Sequence, residues 1–212
     1  QWRKRLDYGT GTFGDMGCHI YDPVFKALGL TYPISLRSEG PVPNDHNWGF
    51  DAKIHYIFPN TPYSEDKTLP VTWYDGGARP PAEVTKLLEG KKLPGQGSVV
   101  IGTKGTMLIP HVGNPELFPK KDFADFKIPK VEGINHWHSF IDGARDAGPM
   151  PSANFSYSGP LSETVLLGGV ATRFPKETLR WEAEKLSFAG NEKATALIRK
   201  KYRKGWEVEG LG

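Results

Sequence analysis

The stretch FGDMGCHIYDPVFKAL, residues 13–28, carries a helical pattern from which the rest of the fold can be worked out. Apolar side chains recur every four residues along it, and this spacing predicts a helix with one apolar stripe. The stripe consists of Met16, Ile20, Val24 and Leu28. Gly29 comes next and is a typical helix stop. We therefore expect a helix from Phe13 to Leu28.

Several strand-like runs follow this helix. In residues 50–58 apolar side chains recur mostly at every second position, which is typical of a sheet with one covered face. The predicted strands are Ile34–Ser38, Phe50–Phe58, Leu69–Tyr74, Val99–Ile101 and Thr106–Ile109, with a short helical segment at Glu83–Leu88. Gly102–Gly105, between the last two strands, predicts a hairpin.

The later part of the chain is mainly helical in pattern. Its predicted elements are a helix with Ile134, Trp137, Ile141 and Ala144 on one face, a helix over Pro160–Phe174 that is apolar on nearly all sides, a strand at Leu179–Ala183, and a closing helix capped by Asn191 that carries Ala194, Leu197, Ile198 and Tyr202. A helix that is apolar all round is a buried one. Successive strands with segregated helices predict an α+β fold, a largely antiparallel, open-faced sheet with helices packed on one face.

Composition excludes several classes of protein. The chain has 212 residues, and 27 basic against 24 acidic side chains give a net charge of +3, too small to favour nucleic acid binding. Cys18 is the single cysteine, which rules out an internal disulfide framework and a multi-cysteine metal cluster. The chain has no apolar run of about 18 residues, so we expect no membrane span. We expect residues 1–212 to form a single domain, with an ordered surface excursion at Pro110–Val131.

The residues Gly9-Thr10-Gly11-Thr12-Phe13-Gly14 match the G-x-G-x-x-G fingerprint of dinucleotide-binding loops. That fingerprint functions only after an apolar strand and within a βαβ unit. The preceding residues 2–8 are too charged for a central parallel strand. We therefore expect these glycines to allow close backbone packing at the start of a helix rather than to bind a cofactor.

Asp15 and His19 are four residues apart, which places a carboxylate and an imidazole on one face of the predicted helix. Asp22 follows one turn later, and the pair is expected at the margin of the buried stripe, where a cleft can form. Pro23 has no N–H to donate to the carbonyl of His19. A histidine in this setting is a candidate proton-transfer group, and the alternative is an ion pair on the helix surface.

Six segments of the chain, in order, resemble the C-terminal domain of the glucose–fructose oxidoreductase / inositol dehydrogenase / MocA family. The first is Gly11–Asp22, GTFGDMGCHIYD, which resembles the family's G-G-x-x-x-D-x-G-x-H-x-x-D segment. The others are VTWYDGG at 71–77, GTKGT at 102–106, HWHSFIDG at 136–143, NFSYSGPLSE at 154–163 and YRKGW at 202–206. The series runs over nearly the whole chain.

This resemblance implies a two-domain parent enzyme. In the family, an N-terminal Rossmann domain binds NAD or NADP and carries a Glu-Lys-Pro segment with a catalytic lysine, and the C-terminal domain shapes the substrate site. The present chain resembles the second domain only and contains no Glu-Lys-Pro. The resemblance therefore implies that the full-length protein is an NAD(P)-dependent oxidoreductase. Its Rossmann domain and cofactor site would lie outside this fragment, and the fragment alone would be inactive.

The resemblance assigns roles to two residues. His19 takes the position of the histidine that relays a proton to or from the substrate hydroxyl, and Asp15 that of the aspartate that orients the substrate or the histidine. Removal of hydride from a carbinol carbon requires removal of the hydroxyl proton, which a positioned imidazole accepts near neutral pH. Asp22 matches the last aspartate of the motif, which we interpret as structural.

Three further residues are candidates for substrate binding. Phe13 either reaches the pocket or packs in the core, Trp73 either stacks on a sugar face or packs internally, and Arg79 either meets an anionic substrate or lies solvated at a sheet edge. We expect no metal site, because His136 and His138 point about 200° apart on a helix and cannot bind one ion together.

The expected function is oxidation or reduction of a hydroxyl or carbonyl group on a sugar, polyol or related compound. The expected partners are that small molecule and further copies of the chain, which would cover the open sheet face as a homo-oligomer. The alternative is a non-catalytic carbohydrate-binding or interaction module that uses Trp48, Trp73 and Tyr74 as platforms. Localisation stays open, with the cytoplasm as default and export to the periplasm as the alternative.

Overall fold

The computed structural model describes residues 2–199 and 201–210. Its helices are α1 (Gly11–Ala27), α2 (Ala82–Lys86), α3 (His136–Ala144), α4 (Phe155–Ala171) and α5 (Glu192–Ala196). Its strands are β1 (Ser35–Ser38), β2 (Lys53–Pro59), β3 (Thr68–Tyr74), β4 (Gly97–Gly102), β5 (Gly105–Pro110), β6 (Glu116–Phe118), β7 (Thr178–Glu182) and β8 (Ser187–Phe188). Short 3₁₀ turns occupy Trp2–Lys4, Lys120–Phe123 and Ala183–Lys185.

The main sheet has five strands in the order β3-β2-β1-β7-β8, and its neighbouring strands pair antiparallel. The alternation along β2 determines which face is covered, because Ile54, Tyr56 and Phe58 are fully buried while the residues between them are half-buried. Leu36 on β1 and Leu179 on β7 extend this buried face. The α+β class and the antiparallel sheet are therefore confirmed.

Helices α1 and α4 pack on the buried face of this sheet. The hydroxyl of Tyr56 on β2 donates to the carbonyl of Thr164 on α4 at 3.1 Å. Glycine permits the close approach of the two helices, since a Cβ added at Gly17 would lie 2.9 Å from Val165 Cγ1. The helix predicted to be apolar all round is thus a core helix, with eight of its residues buried.

The chain divides into two compact units, residues 1–82 with 161–212 and residues 83–160. The second unit contains the small antiparallel sheet β4-β5-β6, which packs around buried Leu88, Leu108 and Phe118. Its β4–β5 connection is the hairpin predicted at Gly102–Gly105. The assignment of residues 1–212 to one functional domain stays a prediction.

Three details differ from the expectations. The buried face of α1 consists of Gly11, Phe13, Gly17, Tyr21, Val24 and Phe25, so the stripe predicted through Met16 and Ile20 is wrong. Helix α5 ends at Ala196, short of Ile198 and Tyr202. The apolar face of α3 exists but is exposed, since Trp137 is 80% and Phe140 70% accessible. None of the helices in the described ranges is both long enough and apolar enough to cross a membrane.

Candidate functional site

The glycine-rich loop packs against its own chain as it enters α1. A Cβ added at Gly9 would overlap the carbonyl of Arg3, and one at Gly11, whose φ is +76°, would lie 2.9 Å from Trp48 Cβ. The indole N–H of Trp48 also donates to the Gly9 carbonyl at 2.7 Å. The glycines therefore allow close packing of protein atoms where a Rossmann loop would accommodate a pyrophosphate. That this loop binds no dinucleotide stays a prediction.

The motif over Gly11–Asp22 divides between two faces of α1. Phe13, Gly17 and Tyr21, four residues apart, form the buried face. Asp15 and His19 are exposed on the opposite face, because two positions beyond a buried residue lie about 200° away around a helix. The prediction that Asp15 and His19 lie at the margin of the buried face is therefore wrong. It failed because the apolar stripe was placed through Met16 and Ile20, whereas the buried face runs through Phe13, Gly17 and Tyr21. The pair does lie on one face, as the four-residue spacing predicts.

Arg3 joins this face as a residue that sequence reasoning missed. Its Nε lies 3.1 Å from Asp15 Oδ2, and the two side chains are 58% and 44% exposed. No spacing rule reveals this contact, because the turn through residues 5–10 brings Arg3 back to the start of α1. The exposed pair is partly screened by water, so it orients the Asp15 carboxylate more than it stabilises the fold.

Two of the substrate-binding candidates lie in an aromatic core beneath this helix. Phe13 is 2% exposed and Trp73 8%, and their ring centroids are 4.4 Å apart. The alternative that Phe13 packs in the core is therefore confirmed. A role of either ring in substrate binding stays a prediction.

The Asp75 carboxylate accepts hydrogen bonds from the indole of Trp73 and from the backbone near the start of β2. Its Oδ2 accepts the Trp73 indole N–H at 3.0 Å, and its Oδ1 accepts the backbone N–H of Ala52 at 2.7 Å. Asp75 is itself buried. The buried carboxylate thus connects the end of β3 to Ala52, the residue just before β2. Part of the Trp73–Gly77 segment therefore has a structural role.

Arg79 lies exposed just beyond this segment. Its guanidinium donates to the carbonyls of Gly76 and Ala78, each at 2.7 Å. Both bonds come from the same nitrogen atom, Nη1, of this exposed side chain. Binding of an anionic substrate there stays a prediction.

Tyr21 places a polar atom in the same core. No described residue exchanges a hydrogen bond with its buried hydroxyl, and its ring centroid lies 5.6 Å from that of Tyr56. Burial raises the pKa of the Tyr21 phenol well above its ordinary value, so the group stays neutral. It lies on the face of α1 opposite Asp15 and His19.

Glu163 on α4 is a half-buried carboxylate of the same unit. Its Oε1 accepts the indole N–H of buried Trp181 at 2.6 Å. Burial raises the pKa of this carboxyl, and the indole hydrogen bond only partly offsets that effect. Sequence reasoning assigned it no role because a lone glutamate on an apolar helix carries no pattern of its own.

Other candidate sites are separate from these residues. His136 and His138 both lie on α3, as expected, so their side chains diverge. Among the described residues, no group of three or more His, Cys, Asp or Glu side chains is arranged to hold a metal ion. Comparison of the chain with protein-family models and with curated proteins gives no match.

Proposed function

We propose that this chain is the C-terminal, substrate-binding domain of an NAD(P)-dependent oxidoreductase of the glucose–fructose oxidoreductase / inositol dehydrogenase / MocA type. Its substrate would be a sugar, polyol or related compound with a hydroxyl or carbonyl group. The observation that carries the proposal is the division of the Gly11–Asp22 motif. Packing accounts for Phe13 and Gly17, whereas Asp15 and His19 are exposed together on the opposite face of α1.

The chemistry of this pair suits alcohol oxidation. The imidazole of His19 accepts the proton of the substrate hydroxyl while the carbon bearing that hydroxyl loses a hydride. Asp15, oriented by Arg3, accepts a hydrogen bond from a neighbouring sugar hydroxyl and fixes the substrate at the imidazole. In such an enzyme NAD⁺ or NADP⁺, held by a separate Rossmann domain, would be the acceptor of that hydride.

The second face of the main sheet is assigned to contact with another copy of the chain. Its side chains are half-buried on β1 and β2 and mostly exposed on β7, and they include Arg37, Ile57 and Arg180. A one-sided antiparallel sheet of this kind is stabilised when a second layer covers it. A two-fold pairing through the same face meets that need with a single type of contact.

Replacement of His19 in the full-length enzyme tests the catalytic assignment. His19→Asn should lower kcat by about 10²–10⁴-fold with little change in KM, because the imidazole acts on the transferring proton. Lys26→Ala, an exposed change on the same face of α1, is the control and should leave kcat unchanged. Steady-state kinetics over a panel of sugars and polyols measures both.

The alternative binding module makes the opposite prediction. In that case Trp48→Ala and Tyr74→Ala would lose sugar affinity by calorimetry, while His19→Asn would change neither binding nor turnover. That result would overturn the oxidoreductase proposal.

A further inference from the structure

A short turn near the start of the chain brings cations to the face of α1 that carries Asp15 and His19. It covers the 3₁₀ turn Trp2–Lys4 and the next residue, Arg5, and we name these four residues the basic turn. It contains three cationic side chains and no acidic one. Arg3 Nε lies 3.1 Å from Asp15 Oδ2, so the basic turn lies directly beside the carboxylate of the candidate site.

Two contacts orient the Arg3 guanidinium, one at its edge and one on its face. Its Nε lies beside Asp15, and its Cζ lies 5.0 Å from the centroid of the Trp2 ring. A planar guanidinium stacks on an aromatic ring and also presents a rigid fork of N–H donors. Because the contact with Asp15 involves Nε, the four remaining N–H donors belong to Nη1 and Nη2. More than half of the side chain is exposed, so a ligand can reach this fork.

The charges around Arg3 favour an anionic ligand. The basic turn contributes three positive charges, and Asp7 and Asp15 offset two of them. Asp22 and Lys26, further along the exposed face of α1, offset each other. The surroundings of Arg3 therefore keep one positive charge in excess, which a single oxyanion on the substrate would balance.

We propose that Arg3 binds a carboxylate or phosphate group of the substrate, and that Trp2 is a positioning residue for the guanidinium. The substrate is then an acidic sugar derivative rather than a neutral sugar or polyol. Two oxygens of the oxyanion accept parallel hydrogen bonds from Nη1 and Nη2, while a hydroxyl of the same molecule reaches His19 and Asp15. The inference rests on the proposed oxidoreductase function and narrows its substrate class.

Steady-state kinetics of the full-length enzyme tests this inference with neutral sugars and polyols and with their carboxylate and phosphate counterparts. In the wild type, kcat/KM for the best anionic compound should exceed that of its neutral counterpart by about 10–100-fold, the size expected of hydrogen bonds to a charged group. Arg3→Gln should reduce this ratio to near one. Arg3→Lys, which keeps the charge but not the fork, should retain only part of it. The carboxylate and phosphate arms identify which oxyanion is bound.

Trp2 is tested by the same ratio of anionic to neutral kcat/KM. Trp2→Ala should lower the ratio, because the guanidinium loses the ring that orients it, and Trp2→Phe should restore most of it. The chain offers a matched control, since Arg203 Cζ lies 4.9 Å from the centroid of the exposed Trp206 ring, outside α1 and the basic turn. Arg203→Gln and Trp206→Ala should leave the ratio unchanged.

The outcomes that would overturn the account can be told apart. A wild-type enzyme that uses neutral compounds as efficiently as every anionic counterpart, or a ratio that Arg3→Gln leaves unchanged, removes the role of Arg3 and leaves the oxidoreductase in place. A full ratio in Trp2→Ala removes the positioning role of Trp2. Absence of NAD(P)-dependent turnover over the whole panel removes the proposed function itself, and the substrate class with it. The wild-type ratio needs no variant, so a variant that fails to fold does not affect this part of the test.

Discussion

Gly168 on α4 shows how a single hydrogen atom in place of a methyl group shapes the core. A Cβ at this position would overlap both the hydroxyl oxygen of Tyr56 and the ring of Phe13. Neither side chain can give way freely, because Tyr56 donates to the Thr164 carbonyl and Phe13 packs on Trp73. We expect Gly168→Ala to lower the free energy of unfolding by about 1–3 kcal/mol, measured by urea denaturation.

Gly159 in the same helix is the control for this change. Apart from its neighbours along the helix, an added Cβ there meets no atom within 4 Å. Gly159→Ala should therefore change the free energy of unfolding by less than about 1 kcal/mol, because the gain in helix propensity is offset by the contact between the new Cβ and the following Pro160. Equal effects of the two alanines would show that α4 does not pack closely on Tyr56.

Glu163 gives a pH dependence whose sign can be worked out. Because burial raises the pKa of Glu163 in the folded state, its contribution to stability is complete below the unfolded value near 4.3 and is lost as the pH rises through the folded pKa. Glu163→Gln keeps an oxygen that can accept the Trp181 N–H. The variant should gain stability relative to the wild type between pH 4 and pH 7.

Urea denaturation at several pH values checks this sign. Glu65→Gln, an exposed change in the loop between β2 and β3, should show no comparable gain. A Glu163→Gln variant that loses stability relative to the wild type as the pH rises would contradict the raised pKa.

At the scale of elements, Asp75 fastens β3 to the start of β2. Asp75→Ala would leave the Ala52 N–H and the Trp73 indole N–H without their acceptor. Each buried unsatisfied donor costs about 1–3 kcal/mol, so the midpoint of urea unfolding should fall clearly. Asp66→Ala, in the exposed β2–β3 loop, should leave the midpoint nearly unchanged. Similar midpoints for the two variants would exclude a structural role for Asp75.

Sequence patterns predicted the presence of these helices and strands more accurately than they predicted which residues each element buries. The four-residue spacing identified α1, yet its buried face passes through Gly17 and Tyr21, which hydrophobicity alone ranks low. Gly17 is buried because its small size admits Val165, and this is information about a partner helix rather than about α1. Strand β2 was easier, since its period of two matches its burial.

The candidate site shows the same limit. The spacing of Asp15 and His19 was sufficient to place them on one face of a helix, because helical geometry is local. The contact from Arg3 to Asp15 depends on a chain reversal that no local pattern encodes. The short α5 likewise could not be read from the capping residue Asn191, which marks where a helix begins and not where it ends.

At the scale of the whole molecule, the central claim is that this chain is one domain of a two-domain oxidoreductase. The most direct test is to sequence the coding region immediately upstream of Gln1. The account predicts an in-frame segment of about 120–200 residues with alternating strands and helices, a G-x-G-x-x-G after an apolar strand, and a Glu-Lys-Pro. A start codon or an in-frame stop codon directly before Gln1 would contradict it.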